Sequence, residues 1–283
     1  MRKHAVRILD TFAKSCVKIF SILPTDLFRR PYQYSKLKSD QFIILNVQDQ
    51  SYTGYLEHLE LDHLASMNKL LVARALLEEV INGRVDMNAS VTIDNVNNHI
   101  WDRAGSNIGS NLELMLRHSS NTATNVLIEH LGGVDNVTYI LKSIGYTSSA
   151  INCYTEPSSY VPSPALYKNQ STPYELARCM LEILQYQDYR FINPLKDTIY
   201  QFTHTNRVCN KVGINSTVIA NVAVIEVKNV QYVVVCFYKL SRFKIKVYTI
   251  LSELLALQKS PNLLLKWDPV SYFTQQVVKY LEG

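Results

Sequence analysis

The stretch "LDHLASMNKLLVARALLEEVINGRV", residues 61–85, predicts a long apolar helix that ends at Gly83, a residue suited to the C-terminal cap. Near its start, Ser66 and Lys69 stand three positions apart and therefore project from the same face. Apolar surroundings and the positive end of the helix dipole both favour the neutral form of a lysine here. A neutral amine one turn from a hydroxyl can take its proton and make it a nucleophile. By itself, S-x-x-K is also compatible with a surface lysine at a fraying helix end.

Segments of β-type sequence stand on both sides of this helix in the chain. Residues 40–50 and 52–60 predict two strands joined by a short turn. Residues 207–240 predict three more, the last two forming a hairpin at Lys228-Asn229. Helical patterns fill most of the chain between them. This order predicts an α+β fold, in which both chain ends build one antiparallel sheet and a helical region, about residues 61–206, is inserted.

Local signals indicate where two further helices start. Ser110 with Glu113, and Thr172 with Glu175, have the spacing of capping boxes. Residues 147–170 contain three prolines and predict a long loop. A loop of that length inside a compact domain is usually functional.

Four motifs occur in a fixed order along the chain. "SMNK" (66–69) is followed by "SSNTATNVLIEHLGG" (119–133), by "YTEPS" (154–158) in the proline-rich loop, and by "NKVGIN" (210–215) on a predicted strand. Over roughly residues 40–240 the chain thereby resembles the class A β-lactamases and their penicillin-binding relatives. Those enzymes carry S-x-x-K, S-D-N, a loop glutamate, and K-T-G or K-S-G. The resemblance implies a β-lactamase/transpeptidase-like fold.

The resemblance also implies a catalytic role for each matching residue. Ser66 would be the acyl-accepting nucleophile and Lys69 its base or proton partner. Ser119 would relay the proton to the leaving nitrogen. Glu156 would position and activate the deacylating water. Lys211 would supply positive charge to Ser119 and to a substrate carboxylate.

Substrate-binding positions follow from the same resemblance. The backbone N–H groups of Ser66 and Ile214 would form the oxyanion hole, and Asn121 would bind the substrate amide. The implied substrate-binding residues are Asn121, Gly213, Ile214 and Tyr160. The implied substrate is a small β-lactam or peptidoglycan-like molecule, and no metal or cofactor is expected.

Four departures from the family pattern concern binding and water placement. Ser120 replaces an aspartate that mainly scaffolds its loop. Val212 replaces a Thr or Ser that helps to hold the β-lactam carboxylate, and residues 216–224 lack the arginine that many members use for the same anion. Tyr160 stands where the family has an asparagine that shares the deacylating water. Acylation is therefore expected, whereas fast turnover does not follow.

Each motif also has a purely structural interpretation. Ser119 or Ser120 could cap the helix that follows. Glu156 could be a solvated loop residue, and Lys211 a charged guard on an edge strand. The leading hypothesis is a serine hydrolase that acts on a β-lactam amide through an acyl-enzyme. The alternatives are a D,D-peptidase or esterase-like hydrolase, and a catalytically weak protein that keeps the fold.

Positive charge is concentrated in the first part of the chain. The 283 residues carry a net charge of +5, and residues 1–40 hold nine Lys/Arg against three Asp, so the remainder is near neutral and a nucleic-acid groove is not expected. Residues 4–23 predict an amphipathic helix that packs on the domain or contacts a membrane surface. We expect residues 1–35 to form this helix and a linker, and residues 36–283 to form a monomeric hydrolase domain.

Location and metal chemistry have little support in the sequence. The resemblance implies a periplasmic or cell-surface protein, but charged residues interrupt any apolar core of a secretory signal. Five cysteines without a CxxC motif argue against a disulfide framework or a zinc site. Residues 241–268 are longer than the family's usual connection and receive no functional account.

Overall fold

The structure, a computed structural model, describes most of the predicted hydrolase domain. The described residues are 42–54, 64–91, 102–155, 168–197, 207–214, 218–239, 277–278 and 281–282. Several predictions fall outside them, namely the helix at 4–23, the domain boundary at 35/36, Glu156, Tyr160 and the segment 241–268.

Among the described residues, five strands form one antiparallel sheet in the order β2-β1-β5-β4-β3. The strands are β1 (Phe42–Asn46), β2 (Tyr52–Gly54), β3 (Arg207–Ile214), β4 (Val218–Val227) and β5 (Val230–Lys239). Strand β1, from the first part of the domain, pairs with β5, from its later part. The predicted assembly of one sheet from both ends of the chain is confirmed.

Strands β4 and β5 are joined by a two-residue turn. Lys228 has a φ of 51° and Asn229 a φ of 65°, as both central residues of a type I′ hairpin turn require. The hairpin predicted at this dipeptide is therefore confirmed. It keeps β4 and β5 paired along their whole length, which leaves β3 as the edge strand next to β4.

The described helices lie between β2 and β3 in the chain, apart from two short pieces near the C-terminus. They are α1 (Asn68–Ile81), α2 (Ile108–Arg117), α3 (Asn121–His130), α4 (Val134–Ser143), α5 (Pro173–Tyr186) and α6 (Tyr189–Lys196). A 3-10 turn, Ala65–Met67, leads into α1. Helix α1 ends as predicted, because Gly83 follows its C-cap with a φ of 67°. Within the described part of the chain, every helix is too short or too polar to cross a membrane.

Helix α2 starts differently from its predicted capping box. Asn107 is the N-cap, and its side chain accepts the Ser110 N–H at 2.8 Å. Ser110 Oγ in turn accepts the Asn107 N–H at 3.1 Å. Ser110 therefore occupies the third helical position and Glu113 pairs with Arg117. The predicted cap was wrong because a serine can complete a capping box from either side.

The predicted box at helix α5 is half confirmed. Thr172 is the N-cap and its side chain accepts the Glu175 N–H at 3.1 Å. The Glu175 carboxylate does not return to the cap but accepts hydrogen bonds from Ser149 Oγ and from the Ser148 N–H. It thus ties the start of α5 to the segment that leads into the proline-rich loop.

Helix α1 is the centre of the helical region. Residues 68–77 are all buried, so the helix is covered on every side rather than along one stripe. Apolar residues of one sheet face, including Ile43 and Val235, join the same core. The opposite sheet face packs against Val277 and Val278. The N-terminus of α1 consequently opens at the boundary between the sheet and the helices.

Candidate active site

Ser66 lies in the 3-10 turn that precedes α1 and is only half-buried. The residue before it, Ala65, has a φ of 48°, in the left-handed region that non-glycine residues rarely adopt. Such strained residues cluster at functional sites, where the surrounding structure holds them in place. The turn therefore presents the Ser66 hydroxyl at the end of a rigid, buried helix.

Lys69 is fully buried beside this hydroxyl. Its Nζ lies 2.8 Å from Ser66 Oγ and 2.6 Å from Asn121 Oδ1. Burial lowers the pKa of the Lys69 amine from 10.5 to about 7, although the negative charge of Asp102 opposes the shift. A lysine in this state is neutral in a large fraction of molecules near pH 7. It can therefore accept the proton of the hydroxyl that it contacts.

A second serine–lysine pair faces the first. Lys211 Nζ, also fully buried, donates to Ser119 Oγ at 2.9 Å and to the Val212 carbonyl at 3.0 Å. Ser119 has a φ of 58°, the second strained backbone position of the site. Burial, and then the positive charge of Lys69, lower the pKa of Lys211 well below its usual value. An anion bound here would stabilise the protonated form.

Strand β3 comes close to the nucleophile at Gly213. A Cβ on this glycine would lie 2.9 Å from the Ser66 backbone nitrogen and 3.1 Å from the Leu64 carbonyl oxygen. Any side chain at 213 would therefore displace the turn that holds Ser66. Ile214, the next residue, ends the strand and is half-buried.

Ser119 and Ser120, the two serines of the second motif, make different contacts at the start of helix α3. Ser120 is the N-cap, and its Oγ accepts the Ala123 N–H at 3.0 Å. The capping interpretation is thus correct for Ser120, whereas Ser119 contacts Lys211. Ser120 Oγ also lies 2.7 Å from Asp102 Oδ1. Asp102 lies in a polar segment without a recognisable motif, so the sequence does not mark it as a site residue.

Thr155 is held next to the site by two asparagines. Asn125 donates to the Thr155 carbonyl and accepts the Thr155 N–H, both at 2.8 Å. Asn68, from within the "SMNK" motif, donates to Thr155 Oγ1 at 3.1 Å. Glu156 follows Thr155 in the chain but lies, like Tyr160, outside the described residues. Neither asparagine was identified from the sequence.

The base of the same loop is closed by backbone and side-chain contacts. Ala150 and Gln170 exchange two backbone hydrogen bonds of 3.0 Å. Ser149 Oγ and Ser171 Oγ lie 2.7 Å apart in the buried layer beneath. The proline-rich segment is therefore anchored at both ends and again at Thr155.

Val212 does not open into the site. Its exposed fraction is 2%, and the strand pleat directs it to the opposite face of β3 from Lys211. The sequence predicted that Val212 removes a hydroxyl that binds the substrate carboxylate. In the structure this side chain is packed in the interior. Lys211, which donates to Ser119 Oγ, is a polar group that β3 contributes to the site.

The chain is similar in sequence to known β-lactamases. Residues 33–254 match the sequence profile of the "Beta-lactamase enzyme family". β-Lactamase OXY-2 of Klebsiella oxytoca is 28% identical over 133 residues, 42% of this chain and 43% of the relative. β-Lactamase CTX-M-4 of Salmonella typhimurium is 32% identical over 146 residues, 48% of each protein. The chain thus spans about half the length of the curated relatives that it matches.

Solved structures share the fold at low sequence identity. A β-lactamase from Burkholderia vietnamiensis aligns with a TM-score of 0.61 at 16% identity, covering 75% of this chain and 87% of that protein. The penicillin-binding protein PBP-A, solved as an acyl-enzyme complex with penicillin G, aligns with a TM-score of 0.60 at 19% identity. That alignment covers 77% of this chain and 89% of PBP-A. The predicted α+β, β-lactamase/transpeptidase-like fold is confirmed.

Proposed function

The chain belongs to the β-lactamase enzyme family, and we propose that it is a serine hydrolase that opens a β-lactam amide through an acyl-enzyme on Ser66. One observation carries the proposal. The Lys69 amine is fully buried, lies 2.8 Å from the Ser66 hydroxyl, and has its pKa lowered to about 7. A serine activated by a neutral lysine can attack an acyl carbon near neutral pH.

The acylation step uses both serine–lysine pairs. The Ser66 proton passes to Lys69 Nζ while Oγ bonds to the lactam carbonyl carbon. The oxygen of that carbonyl becomes an anion, which the N–H groups of Ser66 and Ile214 would stabilise. Ser119 Oγ–H then protonates the lactam nitrogen as the C–N bond breaks. The proton held on Lys69 returns to Ser119 through the adjoining groups of the site, which closes the proton balance.

Substrate binding is assigned to the second pair and its neighbours. The charged form of Lys211, which donates to Ser119 Oγ, would attract the carboxylate that most β-lactams carry. The Asn121 side chain, already in contact with Lys69, would meet the substrate amide. Gly213, which has no side chain, lets β3 lie close against the Ser66 turn, so the backbone of this strand would border the bound substrate.

Deacylation is assigned to Glu156. Its carboxylate would take a proton from a water molecule that attacks the acyl ester and would return that proton to Ser66 Oγ, which leaves as the alcohol. The clamp that Asn125 and Asn68 form on Thr155 supports this role, because it anchors the residue that precedes Glu156 at the helices that carry Lys69 and Asn121.

A D,D-peptidase is the second candidate, and a specific observation favours it. The chain has Tyr160 where the family carries an asparagine that shares the deacylating water. The penicillin-binding protein PBP-A also shares the fold. A peptidase of this kind forms the same acyl-enzyme but does not release it quickly.

Turnover of a chromogenic β-lactam tests the choice. With substrate in excess, a β-lactamase gives many product molecules per enzyme, whereas a peptidase gives one equivalent and stops. We expect wild type to exceed one equivalent within minutes and Glu156→Gln to stop near one. Wild type that stops at one equivalent would identify the peptidase, and unchanged turnover in Glu156→Gln would remove Glu156 from the mechanism.

A further inference from the structure

We propose that Asp102 is a positioning residue of this active site, whose buried carboxylate holds the Ser119–Asn121 turn and places a negative charge that acts on the buried Lys69. The inference rests on the proposed acyl-enzyme function and extends it to a residue outside the family motifs. In this role, Asp102 aligns both serine–lysine pairs through the Ser119–Asn121 turn and supports the charged form of Lys69.

The contacts of Asp102 all lead to the start of helix α3. Asp102 is buried, with an exposed fraction of 5%. Its Oδ1 accepts the Ser120 hydroxyl at 2.7 Å and the Thr122 N–H at 2.9 Å. A carboxylate at a helix N-terminus is favoured by the helix dipole and by the free N–H groups there. Ser119 and Asn121, the residues on either side of Ser120, are the ones that contact the two lysines.

The second oxygen of Asp102 has a different environment. Among the described residues, Oδ2 is buried without a hydrogen-bond partner. A buried charge in that state is costly unless an opposite charge compensates it. Lys69 supplies that charge, since Asp102 raises the pKa that burial lowers. The carboxylate is therefore coupled to the base of the proposed reaction as well as to the turn.

The segment that carries Asp102 is itself fixed. The buried Asn111 side chain accepts the Gly105 N–H at 2.9 Å and donates to the Gly105 carbonyl at 3.0 Å. A Cβ on Gly105 would collide with Ser110 of helix α2. This close packing leaves the backbone after Asp102 little freedom to move. The carboxylate is thus held from outside α3 rather than from within it.

Asp102 supplies the carboxylate that the family motif places at position 120. The motif has a carboxylate at the position of Ser120, whereas this chain has a hydroxyl there. The carboxylate instead comes from position 102 and meets that hydroxyl at 2.7 Å. The replacement of the family aspartate by Ser120 therefore does not leave the turn without a carboxylate, because Asp102 provides one.

The charged groups around Lys69 decide what the carboxylate does. Among the described residues, Asp102 acts on Lys69 from the segment before α2, and the positive charge of Lys69 in turn acts on Lys211 of β3. Arg103, next to Asp102 in the chain, is exposed. Removing the Asp102 charge would leave two like charges together, so the neutral form of Lys69 would persist to lower pH.

An exchange of the two side chains tests the positioning role. We expect Asp102→Ser to lower the rate of acylation by a penicillin about 10- to 100-fold. Ser120→Asp alone would bury two carboxylates in contact and should lower it similarly. The double variant Asp102→Ser/Ser120→Asp should recover to within about threefold of wild type. A double variant no faster than the slower single variant would overturn the proposal.

Asp102→Asn tests the charge without needing a substrate. Asparagine keeps the shape and an acceptor oxygen, so the fold should survive. In protein labelled with ¹³C-lysine, NMR titration should show the Lys69 midpoint, near pH 7 in wild type, about half a pH unit or more lower in the variant. The control is Asp135→Asn, which removes an exposed aspartate from the first turn of α4 and should leave the midpoint unchanged. An unchanged midpoint in Asp102→Asn would contradict the charge role.

The two readouts separate this inference from the proposed function. If wild type forms no acyl-enzyme, the proposed function fails, and the NMR midpoint still tests Asp102. If wild type acylates but the exchange or Asp102→Asn gives the contrary result described above, the inference fails alone.

Discussion

The site holds two serine–lysine pairs of nearly equal geometry that the chain builds in different ways. Lys69 Nζ lies 2.8 Å from Ser66 Oγ, and Lys211 Nζ lies 2.9 Å from Ser119 Oγ. Both lysines are fully buried. The first pair forms within one helical turn, whereas the second joins a strand to a turn 92 residues away in the chain.

The neighbours of the two pairs give them different chemistry. Asp102 supports the charged form of Lys69 against burial, and the pKa stays near 7. For Lys211, burial and the charge of Lys69 both act to lower the pKa. The first amine is thus suited to exchange a proton near neutral pH. The second gains its charge most readily when an anion arrives. Under the proposed function, the same two residue types would serve as a base and as an anion receptor.

Lys69→Met removes the base from the first pair and should have the largest effect. Acylation by a penicillin should slow by about 10²- to 10⁴-fold, the usual contribution of a positioned general base. Methionine is long and apolar, so the buried position should accept it without unfolding. Rapid-quench mass spectrometry measures the rate. Lys142→Met, on an exposed part of α4, is the control and should match wild type. A rate within threefold of wild type for Lys69→Met would remove the lysine from the mechanism.

Lys211→Met removes the cation from the second pair. A β-lactam with a free carboxylate should bind about 10- to 100-fold more weakly, the scale of a charge-assisted hydrogen bond. The methyl ester of the same β-lactam should lose much less, because it offers no anion. Apparent affinities come from the concentration dependence of acylation. Equal losses for the acid and its ester would show that Lys211 acts only on Ser119.

The pH dependence of acylation should separate the pairs further. Lys69 accepts a proton only when neutral, and its pKa is about 7, so the rate should rise with pH and level off above 8. At pH 6 it should be about tenfold below the plateau. The unfolded chain keeps Lys69 protonated up to its ordinary pKa of 10.5, so the free energy of unfolding should also rise between pH 7 and 10.5. A flat rate between pH 5 and 8 would contradict the assignment.

Gly213→Ala should have the smallest effect on acylation. It acts where β3 lies against the turn that holds Ser66. The new Cβ would lie 2.9 Å from the Ser66 nitrogen, and the turn must shift by a few tenths of an ångström. We expect acylation about three- to tenfold slower, since small displacements of a nucleophile are costly. Gly83→Ala is the matched control. It meets no atom within 4 Å, so it should lower stability through its positive φ and leave the acylation rate unchanged.

The local features of the molecule could be predicted from the sequence. The Ser66–Lys69 spacing, the Gly83 cap and the Lys228-Asn229 hairpin depend on residues close in the chain, and the structure has each of them. The fold could be predicted because β-type segments lie on both sides of the helical region in the chain. These segments form one sheet in the structure. Such patterns are set by helical and strand periods, which a sequence displays directly.

The features that could not be predicted depend on distant contacts. Asp102 acts on Ser120 from 18 residues away, and Asn68 reaches Thr155 across 87 residues. No spacing rule marks such pairs. The cap of α2 was misplaced for a related reason, since Asn107 and Ser110 both fit a capping role and only their geometry decides.

Intact-mass spectrometry after exposure to a penicillin, followed by peptide mapping, is the most direct test of the central claim. Wild type should gain the mass of one penicillin within seconds, on the peptide that contains Ser66, while Ser66→Ala should gain none and remain folded. A penicillin adduct on folded Ser66→Ala, or the absence of any adduct on both wild type and Glu156→Gln at every early time point, would contradict the account.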